Sequence, residues 1–433
     1  MNPAIIGGGY AGMAAAVALA ERGIPVTVFE SARQLGGRAR GVHHNSTLLD
    51  NGQHILLGCY HETLRLIDLV GGDIEQDFLR LPLQLTLHGS FELKAATLPA
   101  PLHLLAGLLN AKGLTISERI SAVRFMLAMR RMNFSLAGKL ERQHGLTVIE
   151  LLQAYGQDEN LQHLLWEPIC IAALNTPAHK ASAQVLLNVL RDSLNSARSD
   201  SDILLPRTDL SMLFPERAAE YVKSRGGEIC TSCGVESITA HGDEIELSGA
   251  NGAQRYSHVI CAASPATAAR LFRAVPQLVH IANQIAAIPF QPIYTVYLQY
   301  PEQVVLPQPM LGFNHCVTQW LFDRGQIAGQ HGLLATVISA EGLHQEWEHE
   351  QLVEKVMEEL RDQLGLSEAP RWSKVIAENR AAFACEPNLP RPAHLTPVHG
   401  LLLAGDYTAG DYPSTLEGAV LSGIRCAKQI LSD

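Results

Sequence analysis

Ala4-Ile5-Ile6-Gly7-Gly8-Gly9-Tyr10-Ala11-Gly12 reads as a short apolar strand, a glycine turn and the start of an alanine-rich helix. Each of three glycines answers a requirement of a βαβ dinucleotide site. Gly7 permits the tight turn after the strand, Gly9 lets a pyrophosphate approach the backbone, and Gly12 lets the helix pack close to the sheet. The helix, expected from Ala11 to Arg22 and closed by Gly23, turns its positive end toward the phosphates. The strand that follows, Ile24 to Phe29, delivers Glu30 to a place where a carboxylate accepts hydrogen bonds from ribose hydroxyls. A ribose without a 2′-phosphate is favoured there.

Working outward, Gly36-Gly37-Arg38 bears on the choice between NAD and FAD. The glycine pair lets a second loop lie against the diphosphate and the arginine brings positive charge near it. NAD dehydrogenases do not need that loop, so FAD is expected. At the far end, Leu401-Leu402-Leu403-Ala404-Gly405-Asp406 repeats the strand-then-glycine pattern and adds an acid. The two ends therefore read as halves of one dinucleotide site, with the chain between them building a substrate pocket.

The expected fold class is α/β: a Rossmann-like FAD-binding domain interleaved with an α+β substrate domain on an antiparallel sheet. Segments 1–75, 206–275 and 391–433 are assigned to the first, and 76–205 and 276–390 to the second. Gly226 to Val235, Glu244 to Ser248 and His258 to Ala262 read as strands returning to the nucleotide domain. Pro292 to Tyr300 and Gly332 to Ile338 alternate as substrate-domain strands, and Glu346 to Leu364 as a charged surface helix.

With 433 residues, 47% of them apolar, the chain suits two domains better than one core. A formal charge of −10 without a basic domain sets nucleic acid aside as a partner. Eight cysteines stand singly apart from Cys230-Thr231-Ser232-Cys233, which is read as two buried thiols before a redox pair. His43 and His44 read as solvent-facing loop, and no metal is expected. The motif starts a few residues from Met1 with no signal peptide ahead of it, so a cytoplasmic protein is expected.

The motifs Gly7 to Gly12, Glu30, Gly36-Gly37-Arg38, Ala404 to Tyr407 and Ser414 to Gly423 resemble those of flavin amine oxidases and phytoene desaturases. Leu49 to Gly58, Trp166 to Cys170, Leu174 to Pro177 and Leu204 to Arg207 are most similar to the bacterial squalene-associated FAD-dependent desaturases, the hydroxysqualene dehydroxylases of hopanoid biosynthesis. The resemblance spans nearly the whole chain. It implies that Gly52, Gly405, Asp406, Thr415 and Leu416 also lie at a non-covalent FAD and that the Val235 backbone meets the adenine. The helix starting near Thr415-Leu416-Glu417 would aim its first N–H groups at the flavin pyrimidine.

The implied reaction converts hydroxysqualene and reduced FAD to squalene, water and oxidised FAD. The protonated allylic alcohol loses water, and hydride from flavin N5 quenches the delocalised cation. Asp50 and His54 are the candidate general acids, and Tyr407 and Tyr412 could stabilise the cation through their rings. For each a structural role stands beside the chemical one: Asp50 fixing its turn, His54 a satisfied polar residue, the tyrosines packing. The electron donor and the direction of electron flow stay open. Alternatives on the same scaffold are a carotenoid desaturase oxidising a polyene, a flavin amine oxidase, and a non-catalytic membrane scaffold for isoprenoid synthases. Asp411-Tyr412-Pro413 stands where amine oxidases carry an aromatic pair, which disfavours amines.

The stretch Leu98 to Leu140 is read as a contact with the cytoplasmic face of the inner membrane or as plain core. Leu98 to Leu109 is too short to span a bilayer but apolar enough to dip into one. In the helix expected from Ser117 to Leu136, Phe125, Met129, Met132 and Leu136 form an apolar stripe opposite Arg119, Arg124, Arg130 and Arg131. A triterpene substrate drawn from lipid, and neighbouring squalene-pathway synthases as partners, favour the membrane reading.

Overall fold

Five parallel strands form the sheet on which the first glycine motif ends. Pro3–Ile6 is central, between Thr27–Phe29 and His258–Cys261, and Glu228–Cys230 and Leu401–Leu403 form the two edges. The central and Leu401–Leu403 strands are buried along their whole length, as continuous apolar runs in a parallel sheet require when helices cover both faces. The computed structural model describes residues 1–136, 145–194, 196–250 and 252–433.

The helix Tyr10–Glu21 is buried from Tyr10 to Ala20 because it lies between the sheet and the helices Pro215–Ser224 and Leu416–Ile430. Its alanines permit that double contact. Glycine makes the approach closer still: a Cβ on Gly12 would stand 1.9 Å from the Gly7 carbonyl oxygen, and one on Gly423 would stand 2.0 Å from that of Ala11. Gly423 therefore serves helix packing, which locks the last helix of the chain against the first.

A second sheet has seven strands in the order Trp372–Phe383, Phe290–Gln299, Leu333–Ser339, Trp320–Asp323, Met310–Gly312, Gln84–Leu87 and Phe91–Lys94. Its neighbours are antiparallel except where Met310–Gly312 meets Gln84–Leu87. Alternation divides the long Phe290–Gln299 strand. Tyr294, Val296 and Leu298 pack with Leu352, Val356 and Leu360 of the helix His349–Leu364. Tyr297 belongs instead to the large core that also holds Phe125, Trp166 and Trp320.

Two expectations are corrected. The run Gly226 to Val235 is not one strand: Glu228–Cys230 joins the parallel sheet, and Val235–His241 starts a separate antiparallel sheet with Glu244–Gly249 and Gly252–Tyr256. Between them the chain turns at Ser232, at φ 56°, because Ser232 and Cys233 donate backbone hydrogen bonds to the carbonyls of Ala32 and Glu30.

The helix expected to reach Leu136 is Ile116–Arg131, started by a Thr115/Glu118 capping box and stopped where Asn133 and Phe134 take positive φ. Its stripe faces inward, with Phe125 and Met129 buried. It exposes Ile116, Ile120 and Leu127 beside Ser117, Arg124, Arg130 and Arg131. Likewise Leu104 and Leu108 of the helix Leu102–Leu109 are buried, whereas Leu98, Leu102 and Leu109 face outward. Residues 137–140 of the segment lie outside the described residues. Among the described residues no helix is long and apolar enough to cross a membrane.

Candidate active site

The two N-terminal glycine loops lie side by side. Gly9 and Gly36 pair as a parallel bridge, and the Gly36 N–H donates to the Gly8 carbonyl at 2.9 Å. A Cβ on Gly37, which sits at φ 63°, would approach the Gly9 Cα to 3.4 Å. The helix that starts beside them is capped by Gly9 with no side-chain hydrogen bond and no acid in its first turn. A helix N-terminus left in this state suits an anion from a ligand. Gly7, Gly12 and buried Ala11 shape that turn from behind.

Glu30 closes the neighbouring strand end. Its carboxylate accepts from the N–H of Gly8 at 2.7 Å, the N–H of Ala32 at 2.8 Å and Ser31 Oγ at 3.2 Å. About four acceptor positions exist on a carboxylate, so room remains for a ribose hydroxyl. Beyond it, Phe29, Gly234, Val235, Leu247, Gly249 and Gln254 line a solvent-open cleft. The Val235 carbonyl accepts from Arg270 Nη2 at 3.3 Å.

Arg38 forms an ion pair with Asp406, which also accepts from the Ser414 hydroxyl. Burial opposes the guanidinium charge, but the adjacent Asp406 carboxylate outweighs it and holds the Arg38 pKa above its ordinary value. Arg38 Nη1 also donates to the Ala381 carbonyl at 2.7 Å. The pair ties the Gly36-Gly37 loop to the C-terminal motif across 368 residues of sequence, and the charge read as available to a diphosphate is matched within the protein. Gly405, at φ 150°, lies on the Tyr407 ring, where a Cβ would come within 2.4 Å of ring carbon.

Thr415 caps the last helix, accepting from the Gly418 N–H at 3.0 Å, and Leu416 is that helix's first residue. The Glu417 side chain has a different task, which the sequence did not reveal. It receives the Thr63 hydroxyl at 2.6 Å, the Thr63 N–H at 2.9 Å and the Glu62 N–H at 3.1 Å, and so caps the helix His61–Leu69.

The four candidates for chemistry separate. Asp50 is buried, accepts from the Leu210 N–H at 2.9 Å, and is raised from 3.8 to about 6 by burial, with Arg324 acting in the opposite sense. Tyr407 is buried and donates to the Ala263 carbonyl at 3.2 Å, so its hydroxyl is committed to the core. Half-buried Tyr412 is raised by burial and by nearby Asp192. His54 Nδ1 lies 2.7 Å from the Gly52 carbonyl; a carbonyl only accepts, so Nδ1 carries hydrogen and Nε2 is the ring's exchangeable position. Burial lowers the His54 pKa.

Around Gly52 the 50–54 loop meets the seven-stranded sheet. A methyl group built on Gly52 would lie 3.6 Å from Thr295 Oγ1 and 3.8 Å from His54 Cε1. Tyr297, on the same face of its strand as Thr295, donates to the Asp50 carbonyl at 3.0 Å. Thr295 Oγ1 itself is buried with no hydrogen-bond partner among the described residues. Strand alternation placed Thr295 on a sheet face, but only the fold brings it to the 50–54 loop.

Paired glycine loops, an unsatisfied helix end, a ribose-ready acid and a second motif joined to the first by Arg38 and Asp406 define a flavin-dependent oxidoreductase. The chain belongs to the family described as flavin containing amine oxidoreductase, whose model matches residues 10–431. Its cofactor is FAD. It is 27% identical to a hydroxysqualene dehydroxylase of Rhodopseudomonas palustris over 99% of this chain and 98% of that one. It is 23% identical to a zeta-carotene desaturase of Solanum lycopersicum, covering 99% of this chain and 81% of the relative. The fold matches the crystal structure of a putative protoporphyrinogen oxidase from Exiguobacterium sp. 255-15 with a TM-score of 0.71 at 17% identity, covering 100% and 99% of the two chains.

Proposed function

We propose that this flavoenzyme reduces hydroxysqualene to squalene with loss of water. The observation that carries the reading is an apolar sheet face abutting the Gly52–His54 loop, in a chain similar over its whole length to hydroxysqualene dehydroxylases. Such a face suits a hydrocarbon chain and excludes the water that would trap a cation.

FAD would be held without a covalent bond by Gly7, Gly9, Ala11, Gly12, Glu30, Gly36, Gly37, Arg38, Gly52, Val235, Gly405, Asp406, Thr415 and Leu416. Cys59, Cys261, Cys385 and Cys426, the thiols around the C-terminal motif, are each pushed up to about 12 by burial, so none of them is a ready nucleophile. Reduced FAD, when bound, would supply the hydride. His54 supplies the proton for departing water from Nε2, and its lowered pKa makes the imidazolium a stronger acid toward a weakly basic alcohol. Asp50 holds the loop through Leu210, Tyr407 supports Gly405, and Tyr412 borders the C-terminal motif.

The protein meets the inner membrane from the cytoplasmic side through Leu98, Leu102, Leu109, Ile116, Ile120 and Leu127. Exposed Arg124, Arg130 and Arg131 suit anionic headgroups. Squalene-pathway synthases are its expected neighbours.

Product analysis tests the reaction. Photoreduced enzyme incubated anaerobically with hydroxysqualene is expected to yield squalene, whereas oxidation of phytoene in its place would assign the chain to the desaturases.

A further inference from the structure

We propose that Thr295 is the residue that recognises the alcohol oxygen of an otherwise hydrocarbon substrate, an inference that rests on the reading above. Through the register of the seven-stranded sheet, Thr295 stands in a row with Ile376, Val337, Trp320, Gly312 and Leu87. It contributes the one hydroxyl of that row. Val337, Trp320 and Leu87 belong to the large apolar core, so the side chains around Thr295 in the row are apolar in character.

A buried hydroxyl without a partner is costly, and native structures rarely keep one without a reason. Thr295 Oγ1 is such an atom, in a residue only 1% exposed. It is among the nearest atoms to the missing side chain of Gly52, and His54 Cε1 is its neighbour there. The loop and the strand thus converge on one spot with a hydroxyl and an imidazole. A threonine hydroxyl both donates and accepts, so it can take the substrate's O–H and leave an oxygen lone pair facing the proton carried at His54 Nε2. The rest of the row offers mainly apolar contact, which binds the hydrocarbon of substrate and product alike. Thr295 therefore distinguishes alcohol from hydrocarbon, which favours substrate entry and product release.

Binding to the oxidised, FAD-loaded enzyme separates this role from others. Hydroxysqualene and squalene, each presented in the same detergent micelles, are titrated against wild type, Thr295→Val and Thr295→Ser while the visible flavin band is followed. Wild type is expected to prefer the alcohol by roughly ten- to a hundredfold, the range of one buried hydrogen bond. Thr295→Val should lose that preference with squalene affinity unchanged, and Thr295→Ser should keep most of it. Melting without ligand adds a readout that a structural role would move oppositely: Thr295→Val should be at least as stable as wild type, because it removes an unsatisfied hydroxyl.

A Thr295→Val enzyme that still prefers the alcohol, or that is destabilised, overturns the proposal. So does one whose flavin spectrum changes before any ligand is added, which would make Thr295 a flavin contact. A wild type that neither prefers the alcohol nor converts it overturns the proposed reaction, and this inference with it.

Discussion

Asp50→Asn should make this protein more stable at neutral pH and leave it unchanged in acid. The Asp50 carboxyl is 3% exposed and is raised from 3.8 to about 6, chiefly by burial, with Arg324 and the Leu210 N–H offsetting part of that cost. A group that holds its proton to higher pH when folded binds more protons folded than unfolded, so stability falls as pH rises between the two values. The sign is opposite to that of a salt-bridged surface acid. The displacement is worth about 3 kcal/mol, fully expressed above about pH 7 and absent below about pH 4. Asparagine has the same shape, can still accept from Leu210 and carries no charge, so it removes the penalty. The assay is urea unfolding at fixed FAD concentration across that pH range, comparing the midpoints of variant and wild type. A variant no more stable than wild type at pH 7.5, or a gain that persists undiminished in acid, would refute the account of Asp50 as a buried positioning acid. Loss of all turnover in a well-folded Asp50→Asn enzyme would return it to the list of proton donors.

Three further outcomes are expected. Gly423→Ala places a methyl group against the Ala11 carbonyl and should lower stability by about 1–3 kcal/mol, seen as a drop in melting temperature with weaker FAD retention. Glu30→Gln keeps an acceptor but loses the carboxylate charge, and flavin-fluorescence titration should show FAD binding weakened about tenfold. Leu102→Asp with Leu109→Asp should release the folded protein from anionic vesicles, whereas Leu108→Asp should unfold it, since only the first two side chains are exposed.

The parts of the site carried by short spacing were open to reading. Gly7, Gly9 and Gly12 meet the local demands of one turn, and Glu30 follows at the next strand end, so residue type and distance together declare a nucleotide. Contacts between distant segments were not open in that way. Nothing near Arg38 announces Asp406, nothing near Glu417 announces the Thr63 helix end, and the two pairings join segments 368 and 354 residues apart. Periodicity found a two-sided helix starting at Ser117 but ran it on to Leu136, past its end at Arg131, and could not say which side met the core. Phe125 and Met129 went inward because an apolar core lay on that side, leaving arginines and scattered isoleucines outside. The Cys230 turn was hidden for a related reason: its hydrogen bonds are to Ala32 and Glu30, far away in sequence.

The central claim is that this chain delivers electrons from FAD to an isoprenoid alcohol. Its most direct measurement is a single turnover without oxygen, in which photoreduced enzyme meets one equivalent of hydroxysqualene while the yellow of oxidised flavin is recorded. The account predicts that the colour returns in step with squalene, one molecule for each flavin. Flavin that stays bleached in the presence of the alcohol, while oxidised enzyme is reduced by phytoene, would contradict it.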